Sequence, residues 1–378
     1  MSALTPQEQN KLMRELLIRN SPKIIKKLPT VTGVMGGTTR IKLNNTGLVT
    51  RLFADITIPY NFSAAPTITN KSIYAAVPKI QLIDFDGSTR INTSALHLAI
   101  LNAMRGRQPG ISGAFPQSEA GLSVVASGQS NDFRSPQIGV ATGAQNLRFV
   151  VEIPVAADVM SGDLRGMLAA QFVSGDLQLS IDFASAINGT SDDDYVFTGG
   201  TFVSVGAPTV TVFQEYYLPQ KIRGVTAIPQ MDISTVYEVG VYSRTTDNIA
   251  AGQEKLSNFP ILREVNGVIM DFINNKLMGG GSTAQDLDKF VIYANGNNIL
   301  FESNHFLQSV LQRNKLDTDL PQGCYMFDFS NGPISTAIFG NVQLASTPLS
   351  SATMTNPALE ISFESLYAKG AALSGAPV

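Results

Sequence analysis

Leu177-Gln178-Leu179-Ser180-Ile181-Asp182-Phe183 places an apolar residue at every second position. In an extended chain that alternation puts Leu177, Leu179, Ile181 and Phe183 on one face and the polar side chains on the other, whereas a helix would scatter them. The same pattern spreads outward from this stretch to Arg148–Val155, Thr209–Tyr217, Leu48–Ile58 and Lys79–Phe85. Residues 105–118 and 187–194 are too rich in Gly, Pro, Ser and Asp to be core and read as loops. One segment, Thr93–Met104 (TSALHLAILNAM), fits neither period and stays open between a short helix and a buried strand.

Residues 218–224 (LPQKIRG) break the strand pattern and form the linker in this reading. Beyond them, strands are predicted at Lys289–Ala294, Asn298–Glu302, Cys324–Phe329, Ser335–Leu344 and Leu359–Tyr367. In the last of these, Leu359, Ile361 and Phe363 alternate with Glu360, Ser362 and Glu364, so one face is core and the other wet or interfacial. Ile261–Leu277 and Phe306–Gln312 are the predicted helices of this half. Two successive strand-rich regions of this size exceed immunoglobulin-like sandwiches of about 100 residues and point to eight-stranded jelly rolls. The fold expected is all-β: two tandem jelly rolls with a short N-terminal helix and a few helical insertions. The divisions expected are 1–29, 30–219 and 220–378.

The N-terminus has its own character. Thr5-Pro6-Gln7-Glu8 can cap and start a helix, Leu12, Met13, Leu16 and Leu17 share one face of it, and Pro22 ends it. Residues 1–28 carry Lys11, Arg14, Arg19, Lys23, Lys26 and Lys27 against Glu8 and Glu15, a balance of +4 in a chain of net charge −3. Such an arm suits anionic lipid headgroups or a neighbouring subunit, and equally a helix packed on its own domain with a solvated basic face. No run approaches the roughly 20 apolar residues that span a bilayer, and charges stand where a signal peptide needs an apolar stretch.

Composition narrows the function. Charged residues are only 15% of the chain, against roughly 25% in an ordinary soluble protein. A surface so poor in charge suits coverage by neighbours. The single cysteine, Cys324, cannot form an internal disulfide and reads as a small core residue, and two histidines, His97 and His305, leave little material for imidazole chemistry. Phosphate-loop, metalloprotease, nucleophile-elbow and dinucleotide motifs are missing from the sequence. Met278-Gly279-Gly280-Gly281 reads as a loop, Asp192-Asp193-Asp194 as a solvated acidic loop without calcium-site spacing, and Glu360 and Glu364 as strand-surface carboxylates. No enzymatic activity, cofactor or metal is expected. A jelly-roll carbohydrate-binding module or adhesin is the alternative, but such modules stack sugars on tryptophans and this chain has none.

Four stretches resemble the double jelly-roll major coat protein of tectiviruses, tailless bacteriophages with a membrane inside the shell. They are Leu4-Thr5-Pro6 with the helix that follows, Val212-Phe213-Gln214-Glu215-Tyr216-Tyr217-Leu218, and Ile228-Pro229-Gln230-Met231-Asp232-Ile233-Ser234-Thr235-Val236-Tyr237. The fourth is Asp319-Leu320-Pro321-Gln322-Gly323-Cys324-Tyr325 with Pro333-Ile334 and Gly340-Asn341-Val342. They occur in the family's order, most strongly after about residue 205, while residues 60–145 match little. The resemblance implies a homotrimer whose six jelly rolls imitate a hexagonal tile of an icosahedral capsid. Its implied partners are other trimers, penton or vertex and minor capsid proteins, and the inner viral membrane through the N-terminal arm, without sequence-specific nucleic-acid binding. The implied location is the virion, with assembly in the host cytoplasm.

Overall fold

The computed structural model describes residues 21–69, 71–106, 142–159, 162–170, 175–190, 194–218, 221–222, 225–226, 235–246, 249–273, 287–296, 298–316, 320–321, 323–351 and 357–368. The principal strands of the first half are β1 (Lys23–Lys27), β2 (Thr38–Lys42), β3 (Leu48–Ala64), β4 (Lys79–Ile83) and β5 (Thr89–Thr93). Helix α1 (Ala95–Met104) follows, then β6 (Gly143–Pro154), β7 (Gln178–Asp182) and β8 (Thr209–Tyr217). The second half supplies β9 (Thr235–Thr245), β10 (Lys255–Asn258), β11 (Glu264–Ile273), β12 (Leu287–Ala294) and β13 (Asn298–Asn304). After helix α2 (His305–Leu316) come β14 (Cys324–Asp328), β15 (Val342–Pro348) and β16 (Ala358–Ala368).

Hydrogen bonding orders the first set as β1-β8-β3-β6 and β2-β7-β4-β5, all antiparallel. The second set repeats that connectivity as β9-β16-β11-β14 and β10-β15-β12-β13. Each half is a jelly roll, and in each the helix lies between the fifth and sixth strands. The two rolls are joined by one parallel ladder, β5 to β9, in which Val239 is opposite Ile91 and Gly240 opposite Asn92. It makes one continuous sheet of the two facing layers.

The alternation that defines the strands is realised along β3, where Leu52, Ala54, Ile56, Ile58, Tyr60 and Phe62 are buried and the residues between them are partly exposed. It runs past Ile58 to Ala64 because β6 and then Thr201–Val205 continue to pair with it. The Thr93–Met104 ambiguity resolves into the end of β5 and α1. Ser94 caps the helix, its hydroxyl accepting from the His97 N–H at 3.2 Å. Nine of the ten helical residues are buried, so no single face repeats.

Two expectations need correction. The described part of the helix expected at Ile261–Leu277, residues 261–273, is not helical: Glu264–Ile273 is β11, buried from Val265 onward on both faces. Val268, Met270 and Phe272 enter the second roll's core while Ile269 joins the first roll's, and a strand apolar on both faces loses the period-two signature. Ser335–Leu344 is not one strand either. Thr336–Phe339 forms a helical turn, tied down by the Thr336 hydroxyl donating to Pro260 O at 2.9 Å, and Gly340 at φ +71° leads into β15. Strand structure also starts earlier than residue 30, at Lys23, while the helix expected from Thr5 lies outside the described residues.

One glycine fixes how closely the halves approach. Gly166 has φ +87°, and a Cβ there would lie 2.3 Å from Tyr237 Cβ and 2.7 Å from its backbone nitrogen. Its carbonyl accepts from the Arg90 guanidinium at 2.8 Å. Gly166→Ala is expected to lower stability by about 1–3 kcal/mol in chemical denaturation, from left-handed backbone strain and loss of fit against Tyr237. A variant as stable as wild type would show that the approach is not constrained.

Candidate functional site

The chemically richest region is the seam between the rolls. Helix α1 packs on β6 of its own roll and on β11, β14 and α2 of the other. Its apolar surface merges with Tyr237, Val239, Ile269, Cys324, Met326 and Leu366 in one core. At its C-terminal end Arg105 reaches across. The guanidinium donates to Asp328 Oδ1 at 2.9 Å, to Glu364 Oε1 at 3.2 Å and to the Asn266 carbonyl at 3.3 Å, and makes a second contact with Glu364 Oε2. Tyr237 adds its hydroxyl to Glu364 at 3.0 Å, and Lys315 of α2 lies 2.8 Å from Asp328.

A second buried pair spans the seam. Lys71 Nζ donates to Asp271 Oδ2 at 2.6 Å, and Cys324 Sγ lies 3.7 Å from the other oxygen. Next to it, His97 Nδ1 shares a hydrogen bond of 2.6 Å with Ser362 Oγ, which also bonds Thr93 at 2.8 Å, while Glu360 stands 4.0 Å away.

The electrostatics follow from this pairing. Burial alone would lower the Arg105 pKa, but Glu364, Tyr237 and Asp328 outweigh it and raise it. Burial pushes Asp328 up, yet bonds from Lys315 and the Ser330 N–H, with Arg105 nearby, bring it down to about 2. His97 is held below its ordinary value by burial, with Glu360 and Asp271 only partly opposing. A cavity of about 470 Å³ opens beside Arg105, lined also by Asp158, Asp163, Arg165, Lys315 and Glu364. Its charges are engaged: Arg165 with Asp163 at 2.8 Å, Lys315 with Asp328, Arg105 with Glu364. Among the described residues no cluster of three His, Cys, Asp or Glu could hold a metal ion. The arrangement is suited to holding two rolls together.

The residues singled out in the sequence are dispersed. Glu364 and Ser362, on the face expected to be wet or interfacial, are buried at this intrachain seam, while Leu359, Ile361 and Phe363 face the second core. His305 begins α2 and shares a 2.9 Å bond with the Tyr325 hydroxyl, whereas His97 bonds Ser362. Cys324 is buried. Asp192, Asp193, Met278–Gly281, Lys11, Arg14 and Arg19 lie outside the described residues. Lys23, Lys26 and Lys27 fall on β1, an edge strand paired through Lys23↔Tyr217 to Lys27↔Phe213. Lys23 is committed to Glu215 at 3.1 Å, beneath Arg51 at 2.8 Å; burial opposes ionisation of Glu215, but the bonds from Arg51 and Lys23 keep its pKa below the usual value. Lys26 and Lys27 are exposed. Sequence reading missed Arg105, Lys71, Asp271 and Asp328, because the partner each finds across the seam is 200 or more residues away and no local pattern marks it.

Two jelly rolls locked flank to flank, with buried charges consumed by one another, define a coat-protein architecture. The P3 major capsid protein N-terminal family matches residues 7–220, and the chain belongs to that family. No curated protein matches the sequence. The fold is shared with the STIV major capsid protein, from Sulfolobus Turreted Icosahedral Virus, at TM-score 0.65 and 12% identity over 94% of this chain and 99% of that one. The PBCV-1 virus capsid follows at 0.61 and 13%, covering 92% and 94%. The major capsid protein P2 from bacteriophage PM2 gives 0.52 and 9%, covering 92% and 98%. The chain is a double jelly-roll viral major capsid protein.

Two outcomes test the seam. Arg105→Met strands the buried Glu364 carboxylate and is expected to cost about 3–5 kcal/mol, with Arg105→Met/Glu364→Gln less destabilised than the single variant in denaturant titration; a double variant as unstable as the single would rule out stranded charge as the cause. Because the folded-state pKa of His97 is depressed, its contribution is complete above the unfolded value of 6.5 and is lost as pH falls below it. The drop in melting temperature from pH 7 to 5 should therefore be smaller in His97→Gln than in wild type. Equal drops would show that His97 does not titrate on unfolding.

Proposed function

We propose that the chain is the shell subunit of a tailless, tectivirus-like bacteriophage whose capsid encloses a membrane, and that three copies form a pseudo-hexagonal tile. The observation that carries this reading is the side-by-side pairing of two rolls of identical connectivity: three such pairs offer six similar units around one axis. A low content of charge supports wide burial between tiles. In this reading the rolls divide between residues 219 and 220, trimers meet other trimers and vertex and minor capsid proteins, and assembly proceeds in the host cytoplasm before the protein resides in the virion.

The basic residues divide between two roles. Lys11, Arg14 and Arg19 face the inner membrane, where each charge near an anionic surface contributes about 1 kcal/mol. Lys26 and Lys27, exposed on an edge strand, face a partner subunit. The alternative of a sugar-binding module has no aromatic platform of tryptophan to support it.

Light scattering on the purified protein should give three chain masses; a monomer at high concentration would contradict the tile. Lys11→Glu/Arg14→Glu/Arg19→Glu should retain the trimer and lower cosedimentation with vesicles containing anionic phospholipid at least tenfold, since about 3 kcal/mol is at stake. Unchanged vesicle binding would remove the membrane role from these three side chains.

A further inference from the structure

Lys71 is buried where a lysine is ordinarily wet. It is 5% exposed, whereas the lysines paired with Glu215, Glu302 and Asp328 keep 38%, 46% and 41% of their side chains in solvent. It caps the N-terminus of a short 3-10 helix, Ser72–Ala76, whose Ile73, Tyr74 and Ala76 belong to the core shared by the two rolls. The backbone there is held firmly. Ser72 has φ +53°, a conformation uncommon for a residue with a Cβ, and its N–H donates to the Thr69 hydroxyl at 3.2 Å, which in turn donates to the Tyr195 carbonyl at 2.5 Å.

From this anchor the side chain crosses the seam, and its Nζ donates to Asp271 Oδ2 at 2.6 Å. That contact puts the nitrogen within about 3.5 Å of Cγ, the separation of a near-attack pair. Asp271 is buried on β11, and the sheet register sets a residue on either side of it: Cys324 is directly opposite on β14 and Glu360 directly opposite on β16. Residues opposite one another in an antiparallel pair share a face, their Cβ atoms about 4.5–5.5 Å apart. The Cys324 S–H accordingly reaches Oδ1 at 3.7 Å. Glu360 brings a second carboxylate to the pair, its side chain 14% exposed and 4.0 Å from His97, the remaining titratable neighbour. Burial withholds hydration from both ions. One proton passed along the bond from Lys71 to Asp271 leaves a neutral amine facing a carboxylic acid, the reactants of an amide condensation.

We infer that Lys71 and Asp271 condense into an intramolecular isopeptide bond that joins the two rolls covalently, with Glu360 relaying the protons. The amine lone pair attacks Cγ and forms the C–N bond, giving a tetrahedral centre whose retained oxygen, Oδ1, faces the Cys324 S–H. The Glu360 carboxylate takes a proton from the nitrogen and delivers it to the Oδ2 hydroxyl. The C–O bond then breaks and water leaves. Glu360 ends as the carboxylate it began as, and one amine and one carboxylic acid have become one amide and one water, with no oxidant or cofactor required. The bond replaces two buried charges by a neutral group. It also ties residues 200 apart in sequence, one from each roll, so the seam stays closed even when the contacts around it loosen.

The test is intact-mass spectrometry of the purified full-length chain after denaturation, followed by tryptic mapping. Wild type should weigh one water less than its sequence, trypsin should fail to cut after Lys71, and a single branched peptide should contain both Lys71 and Asp271. These two readings decide the bond without any variant. Lys71→Arg keeps the charge but cannot form the amide, and should show the full mass of its own sequence. After cell-free synthesis, Glu360→Gln should lose the water about a hundredfold more slowly than wild type, and Glu360→Asp, which keeps a carboxyl group, should recover part of the rate. Circular dichroism checks that each variant keeps the fold. A wild-type chain of full mass overturns the bond, and so does a loss of water that persists in Lys71→Arg, which would place it elsewhere in the chain. Condensation of Glu360→Gln at the wild-type rate overturns the relay.

Discussion

The rest of the molecule depends on the exclusion of water from the flank where the two jelly rolls meet. Their cores join there through α1, and the charges carried into the apolar region are Arg105, Lys71, Asp271 and Glu364, each neutralised by an opposite charge from the other half. Desolvating a guanidinium or a carboxylate costs several kcal/mol, which mutual attraction repays only when geometry is good and every remaining donor is used. The four contacts of the Arg105 guanidinium meet that condition. Hydrophobic burial supplies most of the adhesion, while the buried pairs are satisfied in a single register. Two flexibly tethered rolls would make a poor tile, since lateral contacts on opposite flanks could not hold a fixed angle.

What the sequence revealed follows from which signals are local. Period-two alternation survives wherever one face of a strand is core and the other wet, so Thr209–Tyr217, Leu48–Ile58 and Gln178–Asp182 were legible, and the collinear stretches after residue 205 pointed to the family. Where the seam buries both faces the pattern fails. Strand β11 carries apolar residues toward two cores and resembles a helix; α1 is buried all round and resembles nothing periodic. The face of Glu360, Ser362 and Glu364 was legible only as wet or interfacial, and Ser362 and Glu364 proved to be buried against the other half of the same chain. The Arg105 cluster was invisible because its members come from α1, β9, β14 and β16, which only the tertiary fold assembles.

The same geometry gives meaning to the two ends of the chain. The first strand of the first roll and the fifth strand and helix of the second are edges left over once the internal seam is made. Unprotected edges are ordinarily blunted against open-ended pairing, and here Lys26 and Lys27 restrict which surfaces β1 can meet. A capsid subunit differs from an ordinary globular protein in retaining such edges, and in exposing Phe306, Leu307, Val310 and Leu311 where a solitary protein would bury them.

The most direct measurement of the central claim is native-state hydrogen exchange of the isolated subunit, read at the amides of β5, α1 and β9. If the rolls are one cooperative body, these amides exchange only with global opening, at the same free energy as the interior strands β3 and β11. Fast, separate exchange at β5 and β9 while both roll cores remain protected would show two domains that merely touch, and would contradict the account.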